Sequence, residues 1–362
     1  MDLQAIYAAL ASTLSPDQQQ RQAAEAALKG WEGHPGYVSS LFRVVNSTEV
    51  AVEVRQAGIV YFKNIVNKHW ERDEPVEGNA ELQWVIGEDE RVFVRSSIVE
   101  ALVQGDSKCR PVIAESLRRI AGNDFPTKMP TLLQEVASRL DVSAPPEQIL
   151  GALLALRVIT KNYEYASSEK RDGPLSQILP ATFPRMVALM EATLTAPCGD
   201  EKAAEMQKLM IKVVWSSLHQ SVPRYLQDGQ TFMQWMSLLY RVIEAAVPEH
   251  ARVPSAKMDA DDLGKLIFWK TKRWAAQILR RLFQKYGNPK QAEKQFKDGR
   301  EGEIVLSRGT QFTCFTGTKV QILILRAASQ PSTTSLPAAF SRYSAFYSDY
   351  LIYQYKSTNT DT

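Results

Sequence analysis

Apolar residues recur three and four positions apart from the start of the chain to about residue 290, in segments bounded by caps rather than two-residue hairpin turns. That pattern predicts helix almost everywhere. Leu3, Ile6, Leu10 and Leu14 are expected to line one face of a first helix. Ser15-Pro16-Asp17 then offers an N-cap, a proline at the first helical position and an early acid for a second, running through Ala23, Ala27 and Leu28 to Trp31. His34-Pro35-Gly36 breaks it, a third helix covers about 37–46, and a fourth runs from about Glu49 to Trp70.

Further along, the helical segments fall into pairs. Segments 90–105 and 107–122 form a third pair, 126–140 and 146–165 a fourth, 175–194 and 201–220 a fifth, and 231–247 with 262–287 a sixth. A repeat of roughly 40–50 residues is the period of HEAT or armadillo arrays, in which each pair buries its apolar faces against its neighbours. The fold predicted is all-α, a HEAT-repeat α-solenoid of stacked antiparallel helix pairs in a right-handed superhelix. A single compact bundle is the alternative, but this many helices on short loops stack more readily. The acid-rich segment 71–87, with Pro75, Gly78 and Gly87, reads as a long loop. From about residue 297 the character changes: 299–337 is poor in charge, rich in Ser and Thr, and carries β-branched runs without helical period. The aromatic stretch 338–357 is expected to be helical again.

Composition narrows the function. Lys and Arg exceed Asp and Glu by 43 to 40, a net charge of +3 that calls for neither a nucleic-acid nor a membrane partner. Cys109, Cys198 and Cys314 are widely spaced, with no CxxC pair and no His at ligand spacing, which fits a reducing compartment without disulfides or zinc. The first residues lack the basic and apolar regions of a secretory signal, and no run approaches the roughly 18 apolar residues of a membrane span. A cytosolic or nuclear chain is expected. His34, His69, His219 and His250 have no neighbouring nucleophile in sequence, and no phosphate-loop, dinucleotide, HExxH or GxSxG motif occurs. No enzyme, cofactor or metal site is expected.

Two basic helices remain. In the fourth, Ala57, Val60, Tyr61, Ile65 and Val66 are placed inward, leaving Lys63, Asn64, Asn67 and Lys68 on another arc, either a plain solvated face or a contact surface. In 265–285, seven Lys and Arg alternate with Trp269 and Trp274; nucleic-acid contact is one reading, a core of Trp269, Trp274, Ile278 and Phe283 with solvated charges the simpler one.

The stretch AAEAALKGWEGHPGYVSSLFRVVNSTEVAVEVRQAGIVYFKNIVNKHW resembles the importin-β N-terminal domain of karyopherins, with VRQAGIVYFKNIV (54–66) as its hallmark. RSSIVEAL (95–102), NDFPTKMPTLLQEV (123–136), KNYEY (161–165) and FWKTKRWAAQILRRLFQKYGNP (268–289) resemble matching stretches of the importin seven and importin eight type receptors. The resemblance implies an importin-β domain over 1–122, further HEAT-type pairs over 123–292 and an atypical tail over 293–362. Within it, 299–337 resembles no part of the family and reads as an insertion or translated sequence foreign to the mature product; against the family's many repeats the chain reads as truncated. Met129 stands where the family commonly has Trp, a position expected to be packing. By resemblance the chain is a nuclear import receptor shuttling between cytoplasm and nucleus, with Ran-GTP, protein cargo and nuclear pore FG-repeat proteins as partners, and no membrane or direct nucleic-acid partner. The Ran contacts carried over are Lys63, Asn64 and Lys68, with Arg110 in the third repeat. An exportin of the same superfamily, a scaffold without transport activity and a nucleic-acid-binding repeat protein are the rival readings.

Overall fold

The computed structural model describes residues 1–71, 84–252, 260–286, 310–315 and 322–327. Its helices are α1 (Leu3–Ser12), α2 (Gln18–Gly30), α3 (Tyr37–Asn46), α4 (Val52–His69), α5 (Glu88–Gln104), α6 (Arg110–Asp124), α7 (Leu132–Ser138), α8 (Pro146–Lys161), α9 (Ser168–Leu194), α10 (Glu201–Leu218), α11 (Gly229–Glu244), α12 (Ala260–Leu263) and α13 (Ile267–Tyr286). Two compact units are present, Met1–Tyr225 with Ser237–Ala275, and Leu226–Met236 with Ala276–Thr362.

In the first unit consecutive helices pack as pairs, α1 on α2, α3 on α4, α5 on α6, α7 on α8 and α9 on α10. The first member of each pair touches the first member of the next, from α1 through α3, α5 and α7 to α9. The second members do the same from α4 through α6 and α8 to α10. The outcome is two parallel layers of helices with the apolar core between them, the architecture of a HEAT-type solenoid. At one joint the backbones nearly touch: a Cβ on Gly151 of α8 would lie 2.6 Å from the Leu102 carbonyl oxygen and 2.7 Å from Val103 Cα of α5. No helix of the described residues is long and apolar enough to cross a membrane.

Several local expectations are corrected. Ile6 and Leu10 are fully buried, but Leu3 and Leu14 are exposed, because Leu14 lies beyond the end of α1 and Leu3 sits on its first turn. Asp17 rather than Ser15 caps α2, its carboxylate accepting from Gln19 N at 2.9 Å; on α2 Ala24 is buried and Ala23 exposed. The seventh helix begins only at Leu132, since Pro126 and Pro130 cannot donate the backbone hydrogen bonds an earlier start needs. In contrast α9 starts at Ser168 and continues through Pro174, Pro180 and Pro184. There the burial of Leu175, Ile178, Leu179, Phe183 and Met186 holds a helix whose prolines have removed donors.

In the second unit the tail contributes β1 (Thr310–Phe315) and β2 (Ile322–Ala327), antiparallel, with Thr310 opposite Ala327 and Phe315 opposite Ile322. Strand is what β-branched runs without helical period favour. The rest of 299–337, the aromatic stretch 338–357 and most of the acidic loop, 72–83, lie outside the described residues.

Candidate functional site

Helix α4 is fixed on one side and open on the other. Its buried residues are Val54, Gly58, Ile59, Phe62, Ile65 and Val66. Phe62 packs on Phe42 of α3 with ring centroids 4.6 Å apart. Gly58, the glycine of the hallmark motif, has no room for a Cβ, which would run into Val45 of α3 and Leu10 of α1. That close approach rotates the buried face from the one expected: Gly58 and Ile59 point inward, Ala57 and Tyr61 are half-buried, and Val60 is 42% exposed. Burial, then the carboxylates of Glu25 of α2 and Glu32 beyond its end, pushes the Tyr61 phenol above its ordinary range.

The C-terminal end of α4 is locked by a buried polar knot. Trp70 Nε1 donates to Asp124 Oδ2 at 3.0 Å, and Arg95 Nη1 donates to the same oxygen at 2.9 Å. Arg95 also pairs with Glu88, and Lys128 Nζ lies 3.6 Å from Asp124 Oδ1. One carboxylate therefore joins α4, α5 and α6. The chain returning from the acidic loop is pinned to the same end, with the Trp84 ring stacked on His69 at 3.9 Å and Ile86 N donating to the His69 carbonyl at 2.9 Å.

On the open arc Asn64, Asn67 and Lys68 are exposed and Lys63 half-buried. Neither lysine forms an ion pair among the described residues. Lys68 sits in the last turn of α4, where a cation suits the helix dipole, and Glu53 occupies the first turn. Asn64 and Lys68, four residues apart, thus share one face of α4 with Lys63 on its flank; Arg110 does not join them. Its side chain is buried, with Nε donating to the Leu102 carbonyl at 3.1 Å, Nη2 to the Gly105 carbonyl at 2.9 Å, and Nη1 paired with Glu147 at 2.9 Å. It braces α5, α6 and α8. Met129 is buried, as a packing position.

The basic helix at the far end of the sequence divides differently from expectation. Trp269 is half-buried and donates from Nε1 to the Ala251 carbonyl at 2.6 Å, and Ile278 is buried. Lys272, read as a solvated charge, is buried instead: its Nζ donates to the Val242 carbonyl at 3.1 Å and to those of Ile243 and Ala245, closing the end of α11. Burial pushes its ammonium down to about 8. The Phe283 side chain lies outside the described residues. Sequence reading did not connect Lys161, Lys208 and Lys212 with this helix; the four-residue spacing of Lys208 and Lys212 is the local signal for their shared face. Among the described residues no group of three or more His, Cys, Asp or Glu side chains is placed to hold a metal ion.

Comparison with known proteins agrees with the geometry. The model of the importin-beta N-terminal domain matches residues 24–104. Importin-8 of Homo sapiens is 32% identical over 296 residues, covering 82% of this chain and 28% of that protein. The solved structure of the exportin Cse1 in its cargo-free, cytoplasmic state is similar with a TM-score of 0.62 at 20% identity, over 76% of this chain and 29% of that one. A structure of Kap95p, whose binding induces the switch loops of RanGDP to adopt the GTP-bound conformation, is similar with a TM-score of 0.50 at 14% identity, over 82% of this chain and 30% of that one. The chain therefore spans little more than a quarter of the length of the relative it matches.

Proposed function

We propose that this chain, which belongs to the importin-β superfamily, serves in a nuclear transport receptor and meets Ran-GTP through the open arc of α4. The observation that carries the reading is the asymmetry of that helix. Its apolar side is wedged against α1 and α3 by Gly58 and its end is tied down by Asp124, while half-buried Lys63 and exposed Asn64 and Lys68 lie on the other side, the lysines with no ion pair among the described residues. A rigid helix presenting unpaired cations and amides suits a partner with an acidic surface. The Kap95p structure supports Ran as that partner, because Ran is bound there by a protein of the same fold. Arg110 contributes indirectly by holding the third helix pair against α8.

In this reading 1–122 is the Ran-binding part, 123–292 continues the array, and 293–362 lies outside the repeat. Ran-GTP and protein cargo are coupled ligands, since a GTPase that alters the bend of a helical stack alters affinity elsewhere on it. FG-repeat proteins of the nuclear pore complete the partner set, and the chain shuttles between cytoplasm and nucleus. Similarity to Importin-8 favours import. Export is the second reading, favoured by the likeness to Cse1. A pull-down with Ran held in its GTP and GDP forms is the test: the chain is expected to retain the GTP form preferentially, and equal retention of both would end the reading of α4 as a nucleotide-sensitive contact.

A further inference from the structure

A second cationic surface occurs on α8, α10 and α13, away from the α4 arc. Lys212 of α10 sits with Nζ 5.1 Å from the centroid of the Trp274 ring of α13, a cation–π contact. Trp274 in turn packs at 5.6 Å and a steep angle on Trp215, and Trp215 on His219 at 5.3 Å. His219 meets Tyr165, whose ring centroid is 4.6 Å away and which is 71% exposed, the most exposed large apolar side chain among the described residues. Lys161 and Lys270 are exposed beside this row, and Lys208 is one turn before Lys212.

The carboxylates nearby are nearly all committed elsewhere. Glu164 is buried and accepts from Trp215 Nε1 at 3.1 Å and Ser216 Oγ at 2.6 Å, with Arg157 at 3.4 Å. Glu205 reaches Lys208 alone, at 3.5 Å. Lys161, Lys212 and Lys270 form no ion pair among the described residues. The crowding is felt within the cluster: burial, then the charges of Arg157, Lys208, Lys161 and Lys270, holds the Lys212 ammonium below its ordinary range.

We infer that this surface binds an extended acidic segment of a partner polypeptide, its carboxylates spread over Lys161, Lys208, Lys212 and Lys270 and an apolar side chain against Tyr165. Like charges held together on one face, of which only Lys208 has an acid partner among the described residues, are complemented by a ligand carrying several carboxylates at close spacing. Single-stranded nucleic acid is the lesser fit. Base stacking needs open ring faces, and here Trp215 is buried while Trp274 is turned against it and covered by Lys212. The inference stands apart from the Ran reading, because it uses other helices and another partner chemistry.

Fluorescence anisotropy of a labelled oligo-glutamate peptide, titrated with the full chain at low and physiological salt, tests it. An oligo-lysine peptide and an oligo-uridylate of matched length serve as comparisons. The oligo-glutamate is expected to bind in preference to both, and Lys161→Glu with Lys270→Glu, two exposed positions, should weaken it by on the order of tenfold or more without changing the melting curve. Tyr165→Ala should weaken it less, and Lys29→Glu on α2 not at all. No oligo-glutamate binding above the oligo-lysine level, full binding by the double variant, or tighter binding of the oligo-uridylate would each overturn the inference.

Discussion

The open arc of α4 and the knot at its C-terminal end lie within one helix and use charge in opposite ways. At the knot Arg95 is buried and its guanidinium is satisfied by Asp124 and Glu88, with Trp70 completing the network. On the arc Lys63 and Lys68 have no acid within the described protein. The same division repeats along the stack, where Arg110, Arg157 and Arg171 are spent on carbonyls, hydroxyls and carboxylates between helices. Arginine braces these joints and Lys272 does the same at the end of α11, whereas Lys63 and Lys68 stay on the arc. The planar guanidinium holds several fixed acceptors at once, whereas the ammonium on its flexible stem keeps its hydration. What the contrast teaches is that charge at a joint maintains the array, while charge on an arc is available to a partner.

The largest effect that would break this contrast is at the knot. Asp124→Ala leaves the indole of Trp70 without its acceptor and the buried guanidinium of Arg95 with Glu88 alone, and removing one partner of a buried pair costs about 3–5 kcal/mol. Urea denaturation with hydrogen exchange over α5 and α6 reads it directly. A loss no larger than that of Lys63→Ala would erase the distinction between the two regions.

A smaller effect sharpens the same point at the next joint. Burial pushes the Glu164 carboxyl up, but the Ser216 hydroxyl, the Arg157 charge and the Trp215 indole outweigh it and hold the group below its ordinary 4.5. A carboxylate depressed in the folded state contributes stability that is fully present above 4.5 and lost as pH falls through the folded value. Glu164→Gln is therefore expected to cost about 1.5–3 kcal/mol at neutral pH, the range of hydrogen bonds to a charged group. The cost should shrink as the solution is acidified below 4.5. Denaturation midpoints at a series of pH values check it, and an unchanging difference between the two proteins would show that the charge is not what joins α8 to α10.

The helical repeat was legible because amphipathic periodicity is a local property, and α3 fell at 37–46 as read. β1 and β2 fall where the sequence carries β-branched runs without helical period. Side-chain burial was less legible, because it depends on what approaches from another helix. Gly58 faces inward since α1 and α3 come too close for a side chain, and this turned Val60 outward against expectation. Arg110 and Lys272 are buried since carbonyls at the ends of α5 and α11 wait for them, and nothing in their own neighbourhoods announces those acceptors. Of the site residues, Asn64 and Lys68 lie on one face because they are four apart on one helix, and both are exposed.

The measurement that bears most directly on the account is Ran-GTP affinity of the Lys63→Glu, Lys68→Glu double variant, followed by association kinetics across ionic strength. Neither lysine forms an ion pair among the described residues, so each reversal should change stability by no more than about 0.5 kcal/mol and leave melting as in the parent. At an interface the reversals set like charges together, and affinity should fall by on the order of tenfold or more, mainly through slower association at low salt. Lys29→Glu, exposed near the end of α2, should behave as the parent in both assays. Wild-type melting together with undiminished Ran-GTP affinity in the double variant would contradict the assignment of the α4 arc as the GTPase contact.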